Sequence, residues 1–274
     1  MLWYGWVLVI FAALCALYLW LIAPGLRRPD AKALTGRLYA HRGLHDGNHS
    51  VPENSLTAFR KAVEAGYGIE LDVQLTADRR LVVHHDANTR RVCGVDAEIC
   101  KTMYDVLPAL PDGSPIPTFA EVLALVGGRA PLIVEVKPSG SAAANAAAAL
   151  AALRTYEGPY CVESFHPLIV RYFRRHAPDI VRGQLAMGGR RNPEEIGLLS
   201  FFMLKNLLIN ALGRPHFIAY SCQYDRNLSM TLMKRVFHPL LAAWTVRDQR
   251  TLDRARADYD LPIFELFTPD AKKA

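Results

Sequence analysis

The 274-residue chain reads as an α/β protein, a TIM (β/α)8 barrel preceded by one N-terminal transmembrane helix. Three observations predict this. The run from Leu2 to Ala23 carries no charged residue and matches the roughly 20 residues that a helix needs to cross a bilayer. After residue 36, β-like apolar runs alternate with helical stretches, the signature of a parallel sheet. The residues that close several of these runs are acids, histidines and cations, and in such a barrel the C-terminal strand ends build the site.

In chain order, residues 1–24 form the anchor, 25–36 a linker and 37–274 the barrel domain. Trp3, Tyr4 and Trp6 at one end of the apolar run, and Tyr18 and Trp20 towards the other, suit the aromatic belts of a membrane. A cleaved signal peptide is the alternative. No basic residue precedes the run and no small-x-small site closes it, which favours a retained anchor. Arg27, Arg28, Lys32 and Arg37 follow the helix, so the positive-inside rule places the barrel in the cytoplasm. Cys15, Cys93, Cys100, Cys161 and Cys222 form no C-x-x-C pair and read as free thiols, consistent with a reducing compartment.

Nine runs have strand character: Arg37 to Arg42, Gly68 to Val73, Leu81 to His84, Pro131 to Val136, Tyr160 to Phe165, Ile180 to Leu185, His216 to Ser221, Leu240 to Val246 and Pro262 to Leu266. A barrel needs eight. Only Thr-Ala-Asp-Arg-Arg separates Leu81 to His84 from the run before it, too short for a parallel crossover, so this pair is expected to form an antiparallel hairpin. Helices are expected over Asn54 to Ala65, Thr118 to Val126, Ser141 to Arg154, Pro167 to His176 and Asp248 to Ala257, with Asn54 and Thr118 as N-caps. The apolar segment 196–212, interrupted by Lys205 and Asn206, is too short to span comfortably. It is either a barrel helix or a helix in the membrane interface, where Arg190, Arg191 and Lys205 would meet anionic headgroups.

Glu70 and Asp72 are two apart on a strand and so share a face, with Glu135 as a third acid two strands on. Close buried carboxylates need a proton, a basic partner or a metal. Three oxygen donors without cysteine favour a hard divalent cation, calcium or magnesium, and the alternative is an ion-pair network with Arg42 and Lys137. An imidazole can titrate near neutrality, which makes His41 and His85 the natural acid and base, and Arg42 and Lys137 suit a phosphate. Trp244 reads as a pocket wall or as barrel packing. The formal charge of +6 is scattered among acids, with no basic and aromatic track, so no nucleic-acid partner is expected. Oligomeric state is not legible.

Ala40-His41-Arg42-Gly43, Pro52-Glu53-Asn54-Ser55, Glu70-Leu71-Asp72-Val73 and Val83-His84-His85-Asp86 resemble, in order and spacing, the signature of the glycerophosphodiester phosphodiesterases. The resemblance continues through Glu135-Val136-Lys137, Glu163-Ser164-Phe165 and Trp244-Thr245-Val246. It implies a TIM barrel that hydrolyses a glycerophosphodiester to glycerol phosphate and an alcohol. His41 and His85 would be acid and base, Glu70, Asp72 and Glu135 the metal ligands, and Arg42 and Lys137 neighbours of the phosphate. Hydrolysis of membrane lysophospholipids, or a barrel that binds without turnover, are the competing readings. The chain departs from the family at Arg79 or Arg80 in the hairpin turn, in the loop Leu44 to Val51 with His45 and His49, and at Ile263-Phe264-Glu265-Leu266-Phe267. These departures are expected to lie clear of the site and to bear on substrate choice.

Overall fold

The computed structural model describes residues 2–189 and 196–270. Helix α1 (Leu2–Ile22) is apolar on all sides and is followed by a segment docked on the barrel, where the Arg28 side chain donates to the Gly25, Phe237 and His238 carbonyls. The strands are β1 (Tyr39–His41), β2 (Gly68–Leu75), β3 (Leu81–Val83), β4 (Leu132–Val136), β5 (Tyr160–Ser164), β6 (Arg182–Ala186), β7 (Phe217–Ser221), β8 (Leu240–Val246) and β9 (Leu261–Phe264). All but β3 are parallel, and β1 bonds both β2 and β9, which closes an eight-stranded barrel. β3 runs antiparallel to β2, with Val73 opposite Val83 and Leu75 opposite Leu81, as the short connection requires.

Alternation along each strand sorts the side chains. Ala40, Leu71, Val73, Val134 and Val162 face outward and pack with Phe59, Phe119 and Phe173 of the surrounding helices. Tyr39, Ile133, Cys161, Phe217 and Ile263 fill the inside below the site. Each large apolar side chain removed from water contributes about 1.5–3 kcal/mol before conformational entropy is set against it. The Phe217 ring needs a bare neighbour: a Cβ on Gly183 would come within 2.2 Å of it.

The outer layer comprises α2 (Leu56–Glu64), α3 (Arg90–Cys93), α4 (Phe119–Val126), α5 (Ala142–Leu153), α6 (Pro167–His176), α7 (Leu198–Lys205), α8 (Asn210–Gly213), α9 (Leu228–Leu232) and α10 (Gln249–Asp258). Thr118 caps α4 as expected, with Glu121 completing a capping box. The cap of α2 is Ser55 rather than Asn54: Ser55 Oγ accepts from the Ala58 amide at 3.1 Å, while Asn54 sits at φ 56° and turns its side chain towards the barrel mouth. All five cysteines are free. α7 and α8 fill the crossover between β6 and β7 and bury Phe201, Leu204 and Leu207, yet leave Leu198, Leu199 and Phe202 exposed. Arg190 and Arg191 lie outside the described residues.

Candidate active site

The predicted residues converge because His41, Glu70, Asp72 and Glu135 sit at inward strand positions towards one end of the barrel, while Arg42, His85 and Lys137 lie just beyond their strands. Along the barrel wall His41 pairs in register with Glu70, Asp72 with Glu135, and Glu135 with Glu163. Lys137 follows β4 and places Nζ 2.8 Å from Asp72 Oδ1 and 2.7 Å from Glu135 Oε2. Arg42 follows β1; its amide donates to Glu70 Oε2 at 3.1 Å, its Nη1 to Glu53 Oε1 at 2.7 Å, and its Nε lies 3.5 Å from Asp72 Oδ2. Asn54 Nδ2 donates to Asp72 Oδ2 at 2.8 Å.

Both histidines are held in the same way. His41 Nδ1 lies 2.6 Å from Glu265 Oε2, and His85 Nδ1 lies 2.6 Å from Asp86 Oδ1. A carboxylate at Nδ1 fixes the ring and its tautomer, and leaves Nε2 free for chemistry. The supports are themselves anchored. Arg247 Nε donates to Glu265 Oε1 at 2.6 Å, and Arg91 ties Asp86 to Glu53, which holds Arg42 in turn.

Burial sets the electrostatics. Glu70 and Glu163 are pushed well above the usual carboxylate range, first by desolvation and then by the acids around them. Glu135 is also raised by desolvation, against the pull of Lys137. Desolvation opposes ionisation of Asp72 too, but Lys137, His85 and Arg42 together hold it well below its ordinary value. His41 is lowered by desolvation, partly offset by Glu265. Glu70, Asp72, Glu135 and Glu163 therefore share a buried wall with Lys137 and Arg42 as neighbouring permanent cations, and among the described residues Glu163 Oε2 has no hydrogen-bond partner.

A hard divalent cation fits this excess of buried oxygen donors. Ligand atoms of Asp72, His85 and Glu135 lie within 4.8 Å of one another. The sequence-based trio was Glu70, Asp72 and Glu135; the structure groups His85 with the latter two and sets Glu70 against the Arg42 amide, 3.8 Å from His41 Nε2. Trp244 is half-buried near the end of β8, edge-on to Phe165 at 5.6 Å, and its indole N–H has no partner among the described residues.

Sequence reasoning missed the supports. The departure at Glu265 was expected to lie clear of the site and instead holds His41, while His45 Nε2, from the variant loop, comes within 3.9 Å of the same carboxylate. Glu53, Asp86 and Glu163 stood inside quoted motifs, but their roles depend on contacts between segments that spacing does not reveal. A cavity of about 840 Å³ beside α9 and α10 lies elsewhere, and its Lys234 is already paired with Asp225 and Asp258.

Fold and site together define a TIM-barrel protein with a carboxylate and histidine centre at the C-terminal face. Residues 41–260 match the model of the glycerophosphoryl diester phosphodiesterase family. The chain belongs to that family of phosphodiesterases. It is 32% identical over 173 residues to a glycerophosphodiester phosphodiesterase of Caldanaerobacter subterraneus, covering 58% of this chain and 70% of that one. In two other curated relatives the aligned part spans 28% and 46% of the relative's length. Among solved structures, a glycerophosphodiester phosphodiesterase of Thermotoga maritima superposes with a TM-score of 0.64 at 25% identity, over 83% of this chain and 93% of that one. An Oleispira antarctica phosphodiesterase in complex with the product sn-glycerol-3-phosphate shares the fold, with a TM-score of 0.68 at 21% identity over 85% and 94% of the two chains.

Proposed function

We propose that this chain hydrolyses glycerophosphodiesters to sn-glycerol 3-phosphate and an alcohol, with His41 and His85 as the acid and base pair. The observation that carries the reading is the matched support of the two imidazoles, each bonded at Nδ1 to a carboxylate 2.6 Å away, beside one buried wall of acids. Water adds across one P–O bond, and its proton passes by way of an imidazole to the departing alkoxide. Arg42 and Lys137 supply donors for the phosphoryl oxygens, and Trp244, edge-on to Phe165, would wall the substrate pocket. Glu70, Asp72 and Glu135, with His85 beside the last two, would hold a calcium or magnesium ion, which supplies Lewis-acid charge stabilisation when bound.

α1 has mean hydropathy 2.4 over Trp3–Ile22 and is long enough to cross a membrane. As an uncleaved anchor it would keep the barrel at the cytoplasmic face, with Arg27, Arg28, Lys32 and Arg37 on that side. The test of activity is release of glycerol 3-phosphate from glycerophosphocholine by the purified full chain, with calcium, with magnesium and with chelator. Product with one metal, lost with chelator and abolished in His41→Ala while cation binding persists, is the expected result. A folded chain silent under every metal, or an active His41→Ala, overturns the assignment.

A further inference from the structure

α1 meets the barrel along segment 206–214, and the two run in the same direction, with Tyr18 near Asn206, Ile22 at Asn210 and Ala23 at Arg214. Asn210 Nδ2 donates to the Ile22 carbonyl at 2.8 Å, and Arg214 donates to the Trp20 and Ala23 carbonyls while its guanidinium lies 4.7 Å over the Trp20 ring. This is the base of the barrel: the Gly25 amide bonds the Pro215 carbonyl just before β7 begins. One turn nearer its N-terminus, the Tyr18 hydroxyl lies 2.7 Å from Ser229 Oγ, which bonds the Asn206 carbonyl. Ser229 lies in the first turn of α9, beyond the C-terminal end of β7, and the Lys205 carbonyl next to Asn206 accepts from Tyr220 of that strand end.

Traced backwards, α1 therefore climbs from the base to the catalytic rim. Trp3–Leu17, all exposed, continue past it for about 22 Å at 1.5 Å per residue. The belt residue Tyr18, whose hydroxyl reaches the first turn of α9, stands level with the rim and sets a membrane surface at that height. The rim there is apolar. Leu198, Leu199 and Phe202 of α7 are 72%, 71% and 54% exposed, Leu228 opens α9 at 64%, and Leu168 lies in the first turn of α6 at 51%. Every one of them follows the C-terminal end of β5, β6 or β7, so none lies at the base. Arg226 is exposed and Lys205 half-exposed on the same rim, placed for phosphate headgroups.

We infer that the catalytic mouth faces the bilayer, with the rim of α6, α7 and α9 seated in the membrane interface, and that the site takes glycerophosphodiesters of the lysophospholipid class still held in the membrane by an acyl chain. The inference rests on the diesterase and anchor readings above. In the reaction a water oxygen forms the new bond to phosphorus, the P–O bond to the headgroup alcohol breaks, and the proton goes to the leaving alkoxide. The acylglycerol phosphate stays in the bilayer and the alcohol leaves to water. The occupant of the apolar rim is lipid because the exposed surface of α1 continues into it at belt height.

The test uses the full chain in phosphatidylcholine and phosphatidylglycerol vesicles that contain 1-acyl lysophosphatidylcholine. The variant L198E/L199E/F202E is expected to lose about tenfold or more of its turnover on the vesicle substrate, and to stay within about twofold on soluble glycerophosphocholine. Equal losses on both, or unchanged vesicle turnover, overturn the proposal. Phe202→Trp gives a readout free of turnover: bromolipids should quench its added fluorescence, and no added quenching sinks the idea even in an active enzyme. Quenching without hydrolysis of either substrate would reject the diesterase reading and the proposed substrate while leaving the membrane contact standing. A dimer in detergent that the triple variant splits, with vesicle turnover unchanged, would give the face to a second copy instead.

Discussion

At the scale of single residues, the two imidazoles are positioned by carboxylates of different origin. Asp86 is the neighbour of His85 in sequence and is visible in the His-His-Asp motif. Glu265 reaches His41 across 224 positions, so no local pattern could mark it. Glu265→Ala should lower kcat by about 10- to 100-fold with little change in KM, because the ring loses its orienting acceptor while the phosphate donors remain. Glu265→Gln keeps an acceptor and should recover much of the loss; equal defects in both would argue that the charge, not the positioning, matters. Glu53 works on the opposite flank. Burial works against its ionisation, but Arg91 and Arg42 win and hold its pKa at about 2 against an ordinary 4.5. A depressed carboxylate contributes stability above its unfolded pKa and loses it as pH falls through the folded one, so the effect fades between 4.5 and about 2. Glu53→Gln should therefore be less stable at neutral pH and converge with the parent near pH 2, as chemical denaturation would measure.

At the scale of elements, the barrel was legible because strand alternation and helix caps act locally. Nine apolar runs and one short connection sufficed to single out the hairpin strand, and β3 is antiparallel as that connection demands. Asn54 was misread as a cap because the signal for a cap and the signal for a turn residue that donates into the site are the same side chain. The hairpin turn shows what local chemistry still costs. Arg79 stands at φ 63°, the region that glycine enters freely and other residues pay roughly 1–2 kcal/mol to occupy. Glycine would give back roughly 0.5–1 kcal/mol in chain entropy. Arg79→Gly should thus stabilise the fold modestly, by about 0.5–1 kcal/mol in urea unfolding. A destabilised variant would mean that the arginine side chain makes a contribution beyond the turn.

For the whole molecule, the open question is how a barrel tolerates so much negative charge in one wall. Burial and neighbouring acids raise Glu70 and Glu163 and so favour their neutral forms, while Lys137 bridges Asp72 and Glu135. A divalent cation would take over the neutralising role, so uptake near neutral pH should release protons from the raised acids. Calorimetry in buffers of different ionisation enthalpy reads that release directly. The same linkage predicts stability: a ligand at a hundredfold excess over Kd adds about 2.7 kcal/mol to the folded state. For a domain of this size that is a rise in Tm of roughly 5–10 °C, reversed by chelator. Replacing Asp72 with Asn should remove both the shift and the proton release, because it takes out the one acid of the wall held firmly ionised. A Tm that ignores calcium and magnesium alike would show instead that Lys137 and the protonated acids already balance the wall, and that the site works on its own cations.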